Sequence, residues 1–409
     1  MINTDKLGTL PTVIPEALKF RVPRQGPPGA RKEVKMPPEN TSYSTSSNNI
    51  VRFFFTNSDI IDFSRGGIAF DVTITPPPGA TYCRLAQGAW SLFNRVRLTN
   101  NGRELEDIRE YNRLHSLLFE STREPDVGAV LGSVYGYGTQ AQRNVWGATP
   151  SKDYMTPLLC GLFLSGPVPT EVFTKRLQLE LYLEDPRKCI ETDGIGIPII
   201  TLTNIQFHFE VLFLSEPTRS TFVAQSMSGT RYPYKSFVFY QQNITGARSD
   251  IAIPHASEAI DGFINFMVNA NTVNDMTVNN KFLTWNNNQC TDHTLKINNE
   301  FWPVEPCLAQ DDPQSYLMYL RWIEKWKIGG TYNNPPTISF EDYNQDRFLI
   351  IYQLEAYPGE GLVNQLSTTN GGNNVFLRLN LAVNPVNQAL YTFVQVSRTI
   401  DLVGTTLRQ

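Results

Sequence analysis

Cys290, Asp292 and His293 stand within four positions of one another, in "QCTDHT". A thiol, a carboxylate and an imidazole are the parts of a nucleophilic centre, in which a base strips the proton from the attacking atom. Such a centre also needs an orienting group and oxyanion donors, and the adjacent letters supply neither. A second cluster is Glu104, Glu106, Asp107 and Glu110, in "GRELEDIRE". Two carboxyl groups facing one cleft are what glycoside hydrolysis on a β-sandwich requires. The competing reading puts these acids at a helix start, where they complement its dipole. The other histidines, His115, His208 and His255, are far apart and lack metal-ligand spacing with Cys or with one another. "GYG" at 136–138 and "GIG" at 194–196 lack the further glycine and the strand–helix setting of a nucleotide loop. "DGIGIP" offers one carboxylate, too few for calcium. "YLMYLRWIEKW" has aromatics that could stack on bases, but the spacing of a packed amphipathic helix. The sequence therefore nominates no catalytic residue, no metal and no cofactor.

The elements that would have to position such groups are mostly strands. "GIAFDVTI" (67–74) alternates Ile68, Phe70, Val72 and Ile74 with Ala69, Asp71 and Thr73, the period of a half-buried strand. "LQLELYL" (177–183) alternates most cleanly, and "NIQFHFEVLF" (204–213) puts Ile205, Phe207, Phe209, Val211 and Phe213 on one face. His208 then falls among the outward polar positions. Leu114, Leu117 and Leu118 mark a short helix over about 110–119. Residues 120–155 are Gly- and Tyr-rich and read as a long loop, of the sort that makes contacts. The first 45 residues carry seven prolines, which excludes a helix and makes a poor strand. They read as an extended arm whose cations, Lys19, Arg21, Arg24, Arg31, Lys32 and Lys35, lie along a partner surface.

The bulk numbers agree with a β-rich, contact-making chain. Charged residues are only 18% of the 409, below the usual quarter, while 41% are hydrophobic and 11% aromatic. A net charge of −4 and a pI near 5.7 leave no basic field for sequence-specific nucleic-acid binding. Five scattered cysteines without a CxxC read as buried thiols in a reducing compartment. The Met1 end has no basic segment followed by an apolar core, so no secretory signal is expected. No apolar run approaches the roughly 20 residues of a membrane span.

The chain also repeats itself. "VRLTNN" (96–101) is answered by "LKINNE" (295–300), and "GIAFDV" by "GFINFMV", with Ile68, Phe70 and Val72 matching Ile264, Phe266 and Val268. "LQLELYL" is answered by "LRLNLAV" (377–383), and the helix at Leu114 by "SYLMYLRWIEKW" (315–326). The order is kept at nearly one offset, which implies a duplicated domain. The domains expected are an arm over 1–45, a first unit over 46–216, a linker over 217–232 and a second unit over 233–409. A strand set with one apolar face needs a second sheet to cover it. The fold class is all-β: two tandem eight-stranded antiparallel jelly rolls with short helices and long loops.

With "FNRVRLTNNGRELEDI" and "HTLKINNEFWPVEP" as the strand–turn elements of its two units, the chain resembles the double jelly-roll major capsid proteins. That lineage includes tailless membrane-containing phages, adenovirus hexon and virophages. The resemblance implies a structural role without catalysis, in homotrimers with a six-lobed outline that tile an icosahedral shell in the virion. It implies as partners neighbouring capsomers, minor capsid or penton proteins, and an internal membrane where there is one. The alternatives are a tandem β-sandwich lectin and a glycosidase built on the acids near Glu104.

Overall fold

The structure is a computed structural model, and it describes residues 29–55, 60–122, 127–147, 151–170, 173, 176–227, 231–256, 259–298, 300–309, 312–325, 338–355, 374–401 and 406–408. The first half opens with strands β1 (Gly29–Met36), β2 (Ser42–Ser44), β3 (Ile50–Phe54), β4 (Ile60–Thr75), β5 (Cys83–Leu85), β6 (Phe93–Asn100) and β7 (Arg103–Arg109). Three helices follow: α1 (Tyr111–Thr122), α2 (Val127–Tyr135) and α3 (Gln140–Gly147). Then come β8 (Lys152–Pro157), α4 (Gly161–Leu164), β9 (Val168–Pro169), β10 (Leu177–Leu183), α5 (Pro186–Cys189), β11 (Ile190–Thr192), β12 (Ile199–Leu214) and α6 (Glu216–Met227). The second half runs β13 (Arg231–Ile244), β14 (Arg248–Ile253), β15 (Ile260–Asn269), α7 (Ala270–Val273), β16 (Cys290–Ile297), β17 (Glu300–Leu308), α8 (Pro313–Lys325) and α9 (Phe340–Gln345). It ends with β18 (Ile350–Gln353), β19 (Val375–Leu381), β20 (Gln388–Asp401) and β21 (Thr406–Arg408).

The first sandwich is built from a sheet ordered β1-β12-β4-β8 and one ordered β3-β10-β6-β7; the second from β13-β20-β15-β18 and β14-β19-β16-β17. Among the described residues, and setting aside the short strands, each half has eight strands in one arrangement. The first lies beside the eighth, then the third and the sixth; the second lies beside the seventh, then the fourth and the fifth. This is the jelly-roll order the sequence led us to expect. The repeated phrase is the same hairpin in both halves, β6–β7 and β16–β17. Its turns use left-handed backbone at Asn101 (φ 53°), Gly102 (φ 76°) and Asn298 (φ 58°).

Alternation does the packing. Ile68, Phe70 and Val72 of β4 and Leu177, Leu179 and Leu181 of β10 are buried from opposite sheets. Between them sits a knot of rings, Phe53, Phe55, Phe63, Phe163, Phe207 and Phe209, in which Phe63 stacks on Phe163 at 3.9 Å. In the second roll Phe266, Trp285, Tyr391 and Phe393 take the corresponding place.

Three segments differ from the sequence expectation. Residues 120–155 are not one long loop: α2, α3 and β8 occupy most of them. Gly128 and Gly132 inside α2 weaken its helical signature, and tertiary packing holds it instead. Most of the expected linker is a 12-residue helix, α6, whose letters form no apolar stripe to reveal it. The first sheet begins at Gly29, because β1 pairs with β12 along its whole length, from Gly29 opposite Leu214 to Met36 opposite Phe207.

Candidate functional site

The two catalytic clusters do not assemble. The Cys290 thiol contacts the Asp292 main-chain carbonyl (3.6 Å), not the imidazole. His293 instead bridges Tyr352 Oη (Nδ1, 2.5 Å) and Ser315 Oγ (Nε2, 2.6 Å) inside the second sandwich. The ring is fully buried, so it tethers α8 to the sheets. Glu104, Glu106 and Asp107 lie in strand β7, while Glu110 stands directly before α1, at the helix start one reading had for all four. Glu104 pairs with Arg97 (3.1 Å), Asp107 with Arg95 (2.5 and 2.9 Å), and Glu110 with Arg113 (3.2 Å). Glu106 is buried. His208 faces outward as expected, its Nδ1 2.9 Å from Glu33 on β1. Among the described residues no group of three or more His, Cys, Asp or Glu is placed to hold a metal. All five cysteines are buried and free. An open groove of about 450 Å³ at one end of the first roll is lined by Asn49, Glu184, Asp185, Arg187, Ile197 and Ile199. Its acids are already engaged, Glu184 by Asn112 (2.8 Å) and Asp185 by Arg187 (2.5 Å).

Burial has a titration consequence. It pulls both His115 and His293 down to about 3 from an ordinary 6.5. The folded state then binds fewer protons than the unfolded chain below pH 6.5, so their contribution is complete above that pH and is lost as pH falls toward 3. Each should remove about 1.4 kcal/mol per pH unit well below 6.5. Denaturant midpoints at pH 7 and pH 5 test this. His293→Leu should be less stable at both, yet lose about 2 kcal/mol less between them than the wild type.

What the fold does build is a polar junction between the rolls. Glu191 on β11, wholly buried, accepts from Arg84 Nε of β5 (2.8 Å) and lies 3.2 Å from Arg143 Nη1 of α3. Its other oxygen accepts the amide of Asn280 in the second half (2.6 Å). Arg143 Nη2 reaches Asn280 Oδ1 (2.6 Å), and Arg84 Nη2 reaches Asn279 Oδ1 (2.5 Å). Lys281, also buried, donates to the carbonyls of Arg187 (2.5 Å) and Ile190 (3.2 Å), and burial lowers it to about 8. Arg113 lies over Phe282 and Tyr391 at 5.1 and 5.2 Å. A second contact is made by β7 and α4 against β13. Tyr234 Oη and Arg398 Nη1 both donate to the Leu105 carbonyl (2.6 and 2.8 Å). Glu106, raised above its ordinary value by burial, accepts from Cys160 Sγ (2.7 Å) and the Gly161 amide (3.0 Å). Gly161 abuts the Lys235 carbonyl so closely that a Cβ would sit 1.7 Å from its oxygen. Apart from Glu106 and Cys160, none of these residues was singled out from the sequence. Arg84, Arg143 and Glu191 are far apart along the chain, and nothing in a lone charged letter marks it as buried.

Of the six arm cations, Lys19, Arg21 and Arg24 lie outside the described residues. Arg31, Lys32 and Lys35 sit on β1, exposed; Arg31 bridges Asp62 (2.8 Å) and Glu210 (2.7 Å) of its own sheet. In the second roll, the edge strand β17 buries only Cys307.

No protein-family model matches the sequence, and no curated protein matches it. Solved structures do. The Faustovirus major capsid protein aligns over 97% of this chain and 93% of its own, with a TM-score of 0.66 at 10% identity. The PBCV-1 virus capsid aligns over 95% and 98%, with 0.62 at 14%. The fold is the double jelly roll of viral major capsid proteins. The Sputnik virophage structure, at 3.5 Å resolution by cryo-EM, matches as well: 97% of this chain, 92% of that one, a TM-score of 0.59 and 14% identity.

Proposed function

We propose that the chain is the major capsid protein of an icosahedral virus, a structural block of the virion shell with no catalytic step. The observation that carries this reading is the strand-for-strand repetition of one sandwich over nearly the whole chain, in the fold of the capsid proteins above. Three chains close into a ring, and two rolls per chain give that ring six similar lobes. A block of that outline tiles a surface with one gene product, and cyclic closure fixes which faces must match. Interfaces in obligate assemblies bury about 2,000 Å² or more and are apolar. Exposed Ile195, Ile197, Val304 and Val386 suit such surfaces.

The block's partners are its own copies, neighbouring capsomers, minor capsid or penton proteins and, through Lys19, Arg21 and Arg24, an internal anionic membrane where there is one. Two measurements test the reading. Electron microscopy of the purified chain should show six-lobed blocks; two-lobed particles at every concentration would refute it. Deleting residues 1–28, which ends before β1, should leave the blocks intact and abolish shells in an assembly reaction. Unfolding on that deletion would mean the segment belongs to a core.

A further inference from the structure

The hydrogen bonds around buried His293 run one way. Ser315 Oγ donates its single proton to the Leu308 carbonyl (3.1 Å), so it accepts from the imidazole Nε2–H (2.6 Å). Nδ1 then carries no proton and accepts from the Tyr352 hydroxyl (2.5 Å). The chain Tyr352, His293, Ser315, Leu308 joins β18, β16, α8 and β17, and it closes only around a neutral ring. A proton on Nδ1 would meet the Tyr352 proton head to head, and the imidazolium would sit in a site shut off from water.

What the ring holds is a helix seated on one narrow stripe. α8 buries Ser315, Tyr319 and Trp322, while Gln314, Leu317 and Arg321 are exposed. Ser315 is the polar end of that stripe, and Tyr319 lies beside Ser121 of α1 in the first roll. The same helix caps Cys307, whose Sγ is 3.6 Å from Ser315 Oγ and 3.5 Å from Met318 Sδ.

Burial, and no neighbouring charge, holds the ring neutral. Facing it are Cys307 on β17, Leu379 on β19 and Tyr352 on β18, with Cys290 and Tyr343 of α9 beside Tyr352. Burial pushes all of these thiols and hydroxyls up, so they stay uncharged. The charged side chains of the packed elements are engaged or turned out. Asp292 accepts from Asn380 (2.6 Å), and Asp312 accepts the Gln314 amide (2.9 Å). Lys296 lies over Phe301, Arg378 pairs with Asp250 (2.7 Å), and Asp261 of β15 accepts from Ser397 (2.8 Å). Glu300, Glu305, Arg321, Glu341 and Asp342 are exposed.

We propose that the His293 bridge is an acid-opened latch: a proton on the imidazole frees α8 from the second sandwich and bares the Tyr319–Trp322 stripe while the strands stay folded. The sign follows from the two states of the ring. An open imidazole binds a proton below its ordinary 6.5 and a latched one only near 3, so opening is favoured as pH falls through 6.5 and the gain ends near 3. The latch lies within one chain, so it goes beyond the capsid reading and does not depend on it.

Cys307 reports the opening. Its exchange with a dipyridyl disulfide, read by peptide mass and divided by the rate in the unfolded chain at the same pH, should speed about 25-fold from pH 7 to pH 5. Cys189, buried in the first roll, should not follow. In His293→Gln the Cys307 rate should stay level between the two pH values. Ser315→Ala keeps the ring but cuts it from the helix, so it should speed Cys307 exchange about tenfold at pH 7, and it carries the test if His293→Gln does not fold. The latch is overturned by a wild-type Cys307 rate that is flat between pH 7 and pH 5, or that rises only together with Cys189. It is equally overturned by an undiminished rise in His293→Gln, or by a pH 7 rate that Ser315→Ala leaves unchanged.

Discussion

Glu191→Ala should destabilise the protein by about 3–5 kcal/mol, the cost of leaving a buried charge without its partner. The carboxylate is wholly buried between Arg84 and Arg143, which are themselves 0% and 2% exposed. Removing it strands two guanidinium groups in a low-dielectric site that water does not reach. Burial already pulls Arg143 below its ordinary value and Glu191 opposes that pull, so the loss is felt at once. The variant also gives up the acceptor for the Asn280 amide, which ties the second roll to the first. The expected result is an earlier denaturation midpoint and a broader or split transition as the rolls uncouple. Glu104→Gln is the contrast: its Arg97 partner is at the surface, and such pairs contribute at most about 1 kcal/mol. Equal effects in the two variants would contradict the junction described.

Gly161→Ala should be the other large effect, out of proportion to one methyl group. The new Cβ would lie 1.7 Å from the Lys235 carbonyl oxygen and 2.7 Å from its carbon. Both atoms are backbone, held in β13 by its pairing with β20, so no side chain can turn aside. Relief requires α4 to move off β13, which withdraws the Gly161 amide from buried Glu106 and leaves that carboxyl short of a donor. Overpacking of this sort costs roughly 1–3 kcal/mol, and an unmet buried polar group adds about as much. Gly246→Ala, whose Cβ would meet nothing nearer than 3.7 Å, should be close to neutral. Thermal or urea denaturation of the two variants side by side reads the difference.

Much of this fold was legible because strands that bury one face must alternate. β4, β10, β12 and the two hairpins could be placed from Ile68, Leu177, Phe207 and the Asn turns, and the recurrence of that set in one order carried the duplication. What escaped had no such period. Ser215, Glu216 and Pro217 suit the start of α6, but its letters form no apolar stripe to follow. β1 was hidden by its neighbours: Pro28 and Pro37 bracket a proline-free run in which Val34 and Met36 share the inward face. The same prolines that suggested an arm mark the ends of that strand. Of the acids of "GRELEDIRE", Glu110 does stand at the start of α1, but the Asn101-Gly102 turn commits Glu104, Glu106 and Asp107 to β7 first. The junction was invisible for a different reason. Arg84, Arg143, Glu191 and Asn280 meet only after both rolls have folded, and no local pattern encodes a contact between domains.

The mass of the native particle tests the central claim most directly. Light scattering or native mass spectrometry on the full chain at micromolar concentration should give roughly 139 kDa, three times the 46.3 kDa chain. A stable 46.3 kDa species at the same concentration would contradict the account of this chain as a capsid block.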